Sequence, residues 1–421
     1  MKVAACIFPL LLCCVCPAQK RKAIIRDAAP VVVPATIDHN RVIIDAGLTL
    51  PDGSVQRVRA WVDNGNPDLY VSRRVAMLMG LNIKCDGQLC SAGPLREILI
   101  GALKIPLEIK SVRVLPAADH AQSALAPGLP AEITIPSIVL RHYDVLIDFP
   151  EHKFTIGAPG SIAFLGASSK VQINPENGLI QIPSKIENKK YNFALDLGSS
   201  FSFLSAELFD SLATEHPDWP HMTGAVGSAN LWGLADESKW KLMRLDRVQF
   251  GPLFLTDVAV AALPESDVDF IERPAAGSAE GLLGANVFQN YRVGLDYAHS
   301  SVYFDIGRMF LFPDFDVVGV ILRPEDDGHF TILDVADFDG KPSVPEGASG
   351  VRAGDSLIAV DGIAVHGATM GQVWSMLGGT PGQERILTIE RAGSRFAVRA
   401  QVQQFLGEIP DEESGSKKKR K

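Results

Sequence analysis

Short stretches of alternating apolar and polar residues run through most of this chain. Their two-residue period puts one face of a strand in a core and the other in water. Gln56, Arg57, Val58, Arg59, Ala60, Trp61 and Val62 show the pattern, and Pro51-Asp52-Gly53 is a turn joining them to the apolar run 42–44. Residues 95–100, 104–109 and 112–115 read as further short strands, as do 143–149, 153–156, 179–182, 191–195, 258–263, 291–297 and 301–304. Helical spacing interrupts at 73–79 and at 205–213, where Ser205 is a cap and Leu208, Phe209 and Leu212 share a face. After residue 313 the character shifts. Strands are predicted at 317–322, 331–335, 385–390 and 396–402. Between them, 369–377 is a helix with Met370, Val373, Trp374 and Leu377 on its apolar side. The expectation is a mainly β unit followed by a smaller α+β unit.

Two segments of the β unit echo each other. One is Ala60-Trp61-Val62-Asp63-Asn64-Gly65, with Leu69-Tyr70-Val71-Ser72 following. The other is Phe193-Ala194-Leu195-Asp196-Leu197-Gly198, with Ser202-Phe203-Leu204-Ser205 following. The echo returns later in each copy, as Tyr143-Asp144-Val145-Leu146-Ile147-Asp148-Phe149 and Tyr291-Arg292-Val293-Gly294-Leu295-Asp296-Tyr297, each leading into a turn and another strand. Agreement at both ends points to a duplicated lobe. One Asp per copy, each in an Asp-x-Gly turn, points to a shared site between lobes. Two carboxylates held close share one proton and supply acid and base together.

The two copies, over about residues 40–305, resemble the lobes of the pepsin-like and retropepsin-like aspartic proteases. Gly281-Leu282-Leu283-Gly284 resembles the apolar-apolar-Gly element that backs the active-site loop, and Gly128-Leu129-Pro130-Ala131 is its expected counterpart in the first copy, with Pro130 replacing Gly. The resemblance implies a bilobal β-barrel unit. It also implies catalytic roles for Asp63 and Asp196, support from Asn64, Gly65, Leu197, Gly198 and Ser199, and no cofactor or metal. Gly224, Gly227, Trp232 and Gly233 lie in a Gly-rich stretch that resembles a flap or a substrate-facing loop. The hydroxyl residue that follows each Asp in the family is replaced by Asn64 and Leu197. Asn64 keeps a donor. Leu197 does not, so at least one cross-lobe bond is expected to be missing.

The last unit resembles a bacterial-type PDZ domain, through Gly350-Val351-Arg352-Ala353-Gly354-Asp355 and the apolar strand that runs into Asp361-Gly362. The resemblance implies a peptide groove between Val318, Gly319, Val320 and Ile321 on one side and the helix bearing Val373 on the other. The loop N–H groups would hold a terminal carboxylate. A packing domain with its groove filled from within is the alternative.

Composition adds limits. A net charge of −9 over 421 residues gives no basic surface for nucleic acid. Residues 1–18 read as a secretory signal peptide, since an apolar run of about 14 residues is too short to span a bilayer. The expected location is therefore periplasmic or secreted, with no transmembrane segment. The mature chain keeps Cys85 and Cys90, and an oxidising compartment favours a local disulfide over two unrelated thiols or metal ligands. The expected organisation is signal 1–18, linker 19–36, first lobe 37–158, linker 159–170, second lobe 171–308, PDZ-like domain 309–404 and a charged disordered tail 405–421. The function read from this is an aspartic endopeptidase acting on extracytoplasmic peptides or proteins, with protein C-termini as possible partners of the last domain. The alternative is a catalytically inactive peptide-binding or scaffold protein.

Overall fold

The computed structural model describes residues 29–87, 89–114, 128–231, 233–263, 279–308, 314–338, 340–347 and 350–407. The expected signal peptide, Trp232 and the tail from 408 onward lie outside them.

The chain is mainly β. In the first lobe the strands Arg41–Thr49, Val55–Asp63, Ile133–Pro136, Tyr70–Val71, Val112–Val114, Leu89–Ala92 and Lys84–Asp86 pair in that order. Glu97–Ile100 and Leu103–Pro106 form a hairpin attached to the first of them. Cys85 and Cys90 face each other across the terminal hairpin and are disulfide-bonded, as expected. In the second lobe six strands close on themselves. Ile180–Ile186 pairs with Lys189–Leu195, then follow Gly281–Leu283, Ser202–Ser205, Leu253–Leu263 and Lys241–Phe250, which returns to Ile180–Ile186. Closure leaves no free edge in this ring. Helix Ala206–Glu215 starts at Ser205, whose side chain accepts the Leu208 N–H, and it buries Leu208, Phe209 and Leu212.

A sheet shared by the lobes joins them. Asp144–Asp148 of the first lobe pairs antiparallel with Tyr291–Asp296 of the second, and Leu146 lies opposite Gly294. These two occupy equivalent places in the sequence repeat. Two further strands correct two expected linkers. Val31–Asp38, within and just beyond the N-terminal linker, pairs with both Lys153–Gly157 and Arg41–Thr49. Ala167–Lys170, placed in the interlobe linker, pairs with Ser301–Ile306. The period-two signal was weak there because Ala167, Ser168 and Lys170 are exposed edge residues.

The C-terminal module has strands Val320–Pro324, Phe330–Val335, Ser356–Val360, Glu384–Arg391 and Ser394–Gln401 in one sheet. Helix Met370–Leu377 begins in a capping box formed by Thr369 and Gln372. Asp355 holds the turn before Ser356–Val360, accepting from Arg391 Nε and Nη2 at 2.7 Å each and from the Arg352 N–H. Phe405 and Leu406, expected to open the tail, belong to the core instead. The Phe405 N–H donates to Phe315 O at 2.9 Å. This core is continuous with a flank of the second lobe. Phe201, Phe203, Val226, Trp240 and Leu242 pack in one apolar cluster with Val320, Leu322, Met370 and Val373.

Candidate active site

Strand Val55–Asp63 delivers Asp63 at its last position, and strand Lys189–Leu195 delivers Asp196 immediately after it. A strand running parallel backs each loop. In the second lobe Gly281–Leu283 lies beside residues 193–195, and the Asp196 N–H donates to Leu283 O at 3.1 Å. In the first lobe Ile133–Pro136 lies beside residues 60–63, with Pro136 opposite Asp63. The backing element is therefore 133–136 and not 128–131, and the residue at the equivalent of Gly284 is Pro136. The apolar pair and Gly that mark the second copy were lost here, so the segment was misplaced by a few residues. Each backing strand also pairs antiparallel with the strand after its loop, Ile133 with Val71 and Leu282 with Phe203.

The loops interlock. A Cβ built on Gly65 would lie 2.0 Å from Asp196 Cγ, and one built on Gly198 would lie 2.4 Å from Asp63 Oδ1. Any side chain at either glycine would drive the opposing carboxyl away. Asp196 Oδ1 accepts from the N–H groups of Gly198 at 2.8 Å and Ser199 at 2.9 Å, and Asp63 Oδ1 accepts from the Gly65 N–H at 3.2 Å. The Ser199 hydroxyl turns to Phe201 O at 2.7 Å, so this residue meets the carboxyl through its backbone alone. Asn64 spans the lobes with both ends of its amide. Nδ2 donates to Leu195 O at 2.8 Å, and Oδ1 accepts from the Leu197 N–H at 2.7 Å. Leu197 is fully buried in the apolar core and returns no bond from its side chain.

Asp63 and Asp196 are each 3 % exposed. Burial, reinforced by the neighbouring Asp196, raises Asp63 well above the ordinary carboxyl range against the pull of the Gly65 and Asn66 N–H groups and Arg41. Burial also pushes Asp196 up to about 6, opposed by the Ser199 and Gly198 N–H groups and by Arg41. Asp196 thus ionises first, and its charge helps Asp63 keep the pair's remaining proton.

Arg41 escaped the sequence reading. It is 2 % exposed, lies 5.7 Å from the Trp61 ring centroid, and feels the charges of Asp38, Glu237, Asp63 and Asp196. Burial lowers its pKa to about 10. The only sequence signal was a charged residue fused to the apolar run 42–44. Nearby, burial and Arg41 push His39 down to about 3, so its ring is neutral and Nε2–H donates to Ser228 O at 3.0 Å.

The Gly-rich stretch expected as a flap belongs to the second lobe and is enclosed. Gly224, Gly227, Ser228 and Gly233 are all buried. Val318, Gly319, Val320, Ile321 and Val373, expected to line an open groove, are buried too. The expected carboxylate loop is already satisfied. The Val318 N–H donates to Leu377 O and the Val320 N–H to Val318 O. A Cβ on Gly319 would lie 2.2 Å from Ser343 Oγ and 2.5 Å from Phe405 Cζ. Substitution there would disturb the core, not crowd a ligand. A surface hollow of about 700 Å³ lined by Ser168, Lys170, Lys190, Gln249 and Glu280 includes no residue of the dyad loops. Among the described residues no group of three His, Cys, Asp or Glu is arranged to hold a metal, and no helix is long and apolar enough to cross a membrane.

Residues 182–287 match the family model described as aspartyl protease. That stretch contains Asp196 and most of the closed ring, and stops before the C-terminal module. Among curated proteins nothing matches the chain. Among solved structures, the chain is similar to an aspartic proteinase from Irpex lacteus at 11% identity and a TM-score of 0.39, covering 66% of this chain and 98% of that one.

Proposed function

We propose that the chain is an aspartic-type endopeptidase whose Asp63 and Asp196 hydrolyse peptide bonds through an activated water. The interlock of the two Asp-x-Gly loops carries this reading, because it sets each glycine against the opposing carboxyl. The ionised carboxylate takes a proton from water as the water oxygen attacks the scissile carbonyl carbon. The protonated partner gives its proton to the carbonyl oxygen. Breaking the C–N bond of the resulting diol, with a proton passed to nitrogen, releases an amine and a carboxylic acid. With Asp196 ionising near 6 while Asp63 keeps its proton beyond that, the one-proton pair forms and cleavage rises as pH passes about 6. A digest of mixed unfolded polypeptides between about pH 3 and pH 7 tests this. Wild type should cut, and neither Asp63→Asn nor Asp196→Asn should. Equal cutting by the variants would end the reading.

In this reading the C-terminal strand–helix module recognises peptide as the PDZ domains it resembles do, once the residues that fill its groove have moved. Its substrates in this reading are extracytoplasmic, after signal removal. Leu197, which returns no cross-lobe bond, favours a second reading, a catalytically inactive peptide-binding or scaffold protein. Absence of cleavage by wild type, with peptide binding retained, would select it.

A further inference from the structure

The enclosure of residues 224–231 has a definite architecture. Among the described residues, strand Val320–Pro324 has a strand partner, Phe330–Val335, on one edge only. At its other edge the Leu322 N–H donates to Asn230 Oδ1 at 2.9 Å, and Asn230 Nδ2 donates to Leu322 O at 3.0 Å. A side-chain amide thus makes the paired contacts that an added strand makes with a sheet edge. The Gly227–Ala229 turn packs against helix Met370–Leu377, the other wall of the groove. Gly233 fits at φ +67 where a Cβ would lie 2.3 Å from Arg323 Cα. Ser228 is bonded to Asp314 through both its N–H and its hydroxyl.

The same segment is tied to the dyad's neighbours. Ser228 O accepts from His39 Nε2 at 3.0 Å and from Ser200 Oγ at 3.3 Å, and Leu231 O accepts from Arg41 Nη2 at 3.5 Å. The module also reaches the first lobe. Thr369 Oγ1 donates to Asp38, and the Met370 N–H donates to Gly128 O at 3.2 Å. One segment therefore joins the first-lobe turn, the second dyad loop and the module.

We infer that residues 224–231 are an internal ligand of the strand–helix groove and a latch that keeps polypeptide from the dyad, so that an extended polypeptide pairing with the Leu322 edge releases the segment and opens the site. The inference rests on the peptidase reading for its rate measurement and is independent of it for its exchange measurement. An extended backbone offers the edge the same donor and acceptor as Asn230, so the two compete for one place.

The test uses the mature chain, with reduced and carboxymethylated lactalbumin as the unfolded probe. Amide exchange is followed at Ala225, Ser228, Ala229, Asn230 and Leu322. In wild type, the first four should open by local motion well before the strands Ile180–Ile186 and Lys189–Leu195 exchange. The probe should speed them while Leu322 stays protected. Asn230→Ala should deprotect Leu322 and raise cleavage about tenfold, as expected if the open form is populated about one part in ten. Ser228→Ala, which keeps the Leu322 pairing, should give a smaller rise and serves if Asn230→Ala fails to fold. Exchange of residues 225–230 only with the lobe strands, or unaffected by bound probe, overturns the latch whatever the activity. Folded Asn230→Ala cutting at the wild-type rate overturns it as well. If neither protein cuts but the probe still releases the segment, the latch stands and the peptidase reading falls.

Discussion

The two Asp-x-Gly loops hold equivalent positions by unlike means. Asn64 reaches across and satisfies both a carbonyl and an N–H of the opposite loop. Leu197, in the matching place, is buried among apolar neighbours. Cross-lobe hydrogen bonding from this position is therefore one-sided, with the first loop gripping and the second packing. A single carboxamide carries a donor and an acceptor about one bond length apart from a common carbon, and so can meet both groups at once. The Leu197 side is free to contribute burial, roughly 2 kcal/mol for a fully enclosed Leu.

The largest break of this comparison removes a carboxyl. Asp196→Asn or Asp63→Asn should lower cleavage by about three orders of magnitude or more, given the weight of an acid–base pair in such a reaction, and a peptide digest reads it. The Asp196 variant has a second outcome. The folded carboxyl holds its proton up to about 6 and the ordinary one releases it near 3.8. Its stabilising contribution is therefore complete below about 3.8 and is lost as pH rises through about 6. Asn keeps the acceptor for Gly198 and Ser199 without the charge. The variant should melt higher than wild type at neutral pH, and the gain should vanish toward pH 4, as followed by thermal unfolding across that range.

Asn64→Leu would make the loops alike and leave the Leu195 carbonyl and Leu197 N–H buried without that partner. The expected loss is about 3 kcal/mol in urea unfolding, with a rate loss of roughly 10²-fold from displaced carboxyls. Leu197→Thr would restore the hydroxyl of the resembling family. It should still cost about 2 kcal/mol, because the site is filled by the larger apolar side chain. Unchanged stability would mean that the hydroxyl finds a partner across the lobes. Ser199→Ala is the smallest change, about 1 kcal/mol from the lost bond to Phe201 O. The pH profile of cleavage should not move, since the Ser199 backbone, not its hydroxyl, meets Asp196.

Legibility followed local chemistry. The helix start at Ser205 was readable because its side chain caps the N–H three residues ahead, and the structure adds the same bond at Ser72 and Thr369. Ile133–Pro136 was not recognised as the first backing strand, because Thr134 and Pro136 break the apolar-apolar-Gly pattern while parallel pairing with residues 60–63 fixes the place. Residues 31–36 were set aside as linker, although the strand Val31–Asp38 alternates in burial and pairs in turn with Lys153–Gly157 and Arg41–Thr49. The carboxylate loop at Gly319 failed for another reason: Ser343 and Phe405, far along the chain, occupy the space beside it.

The sequence alone determined the duplicated Asp-x-Gly loops, the strand periods, the cap at Ser205 and the cysteine pair, because each depends on neighbours within a few residues. Tertiary structure decided the rest. It turned Asn64 from a weakened substitute into a two-ended cross-lobe tie and set Arg41 in the field of both carboxyls. It also merged the last module's core with the second lobe and seated residues 224–231 between that module and the dyad's neighbours. Burial, charge proximity and competition for a sheet edge depend on which distant residues share a space, and no local pattern encodes that.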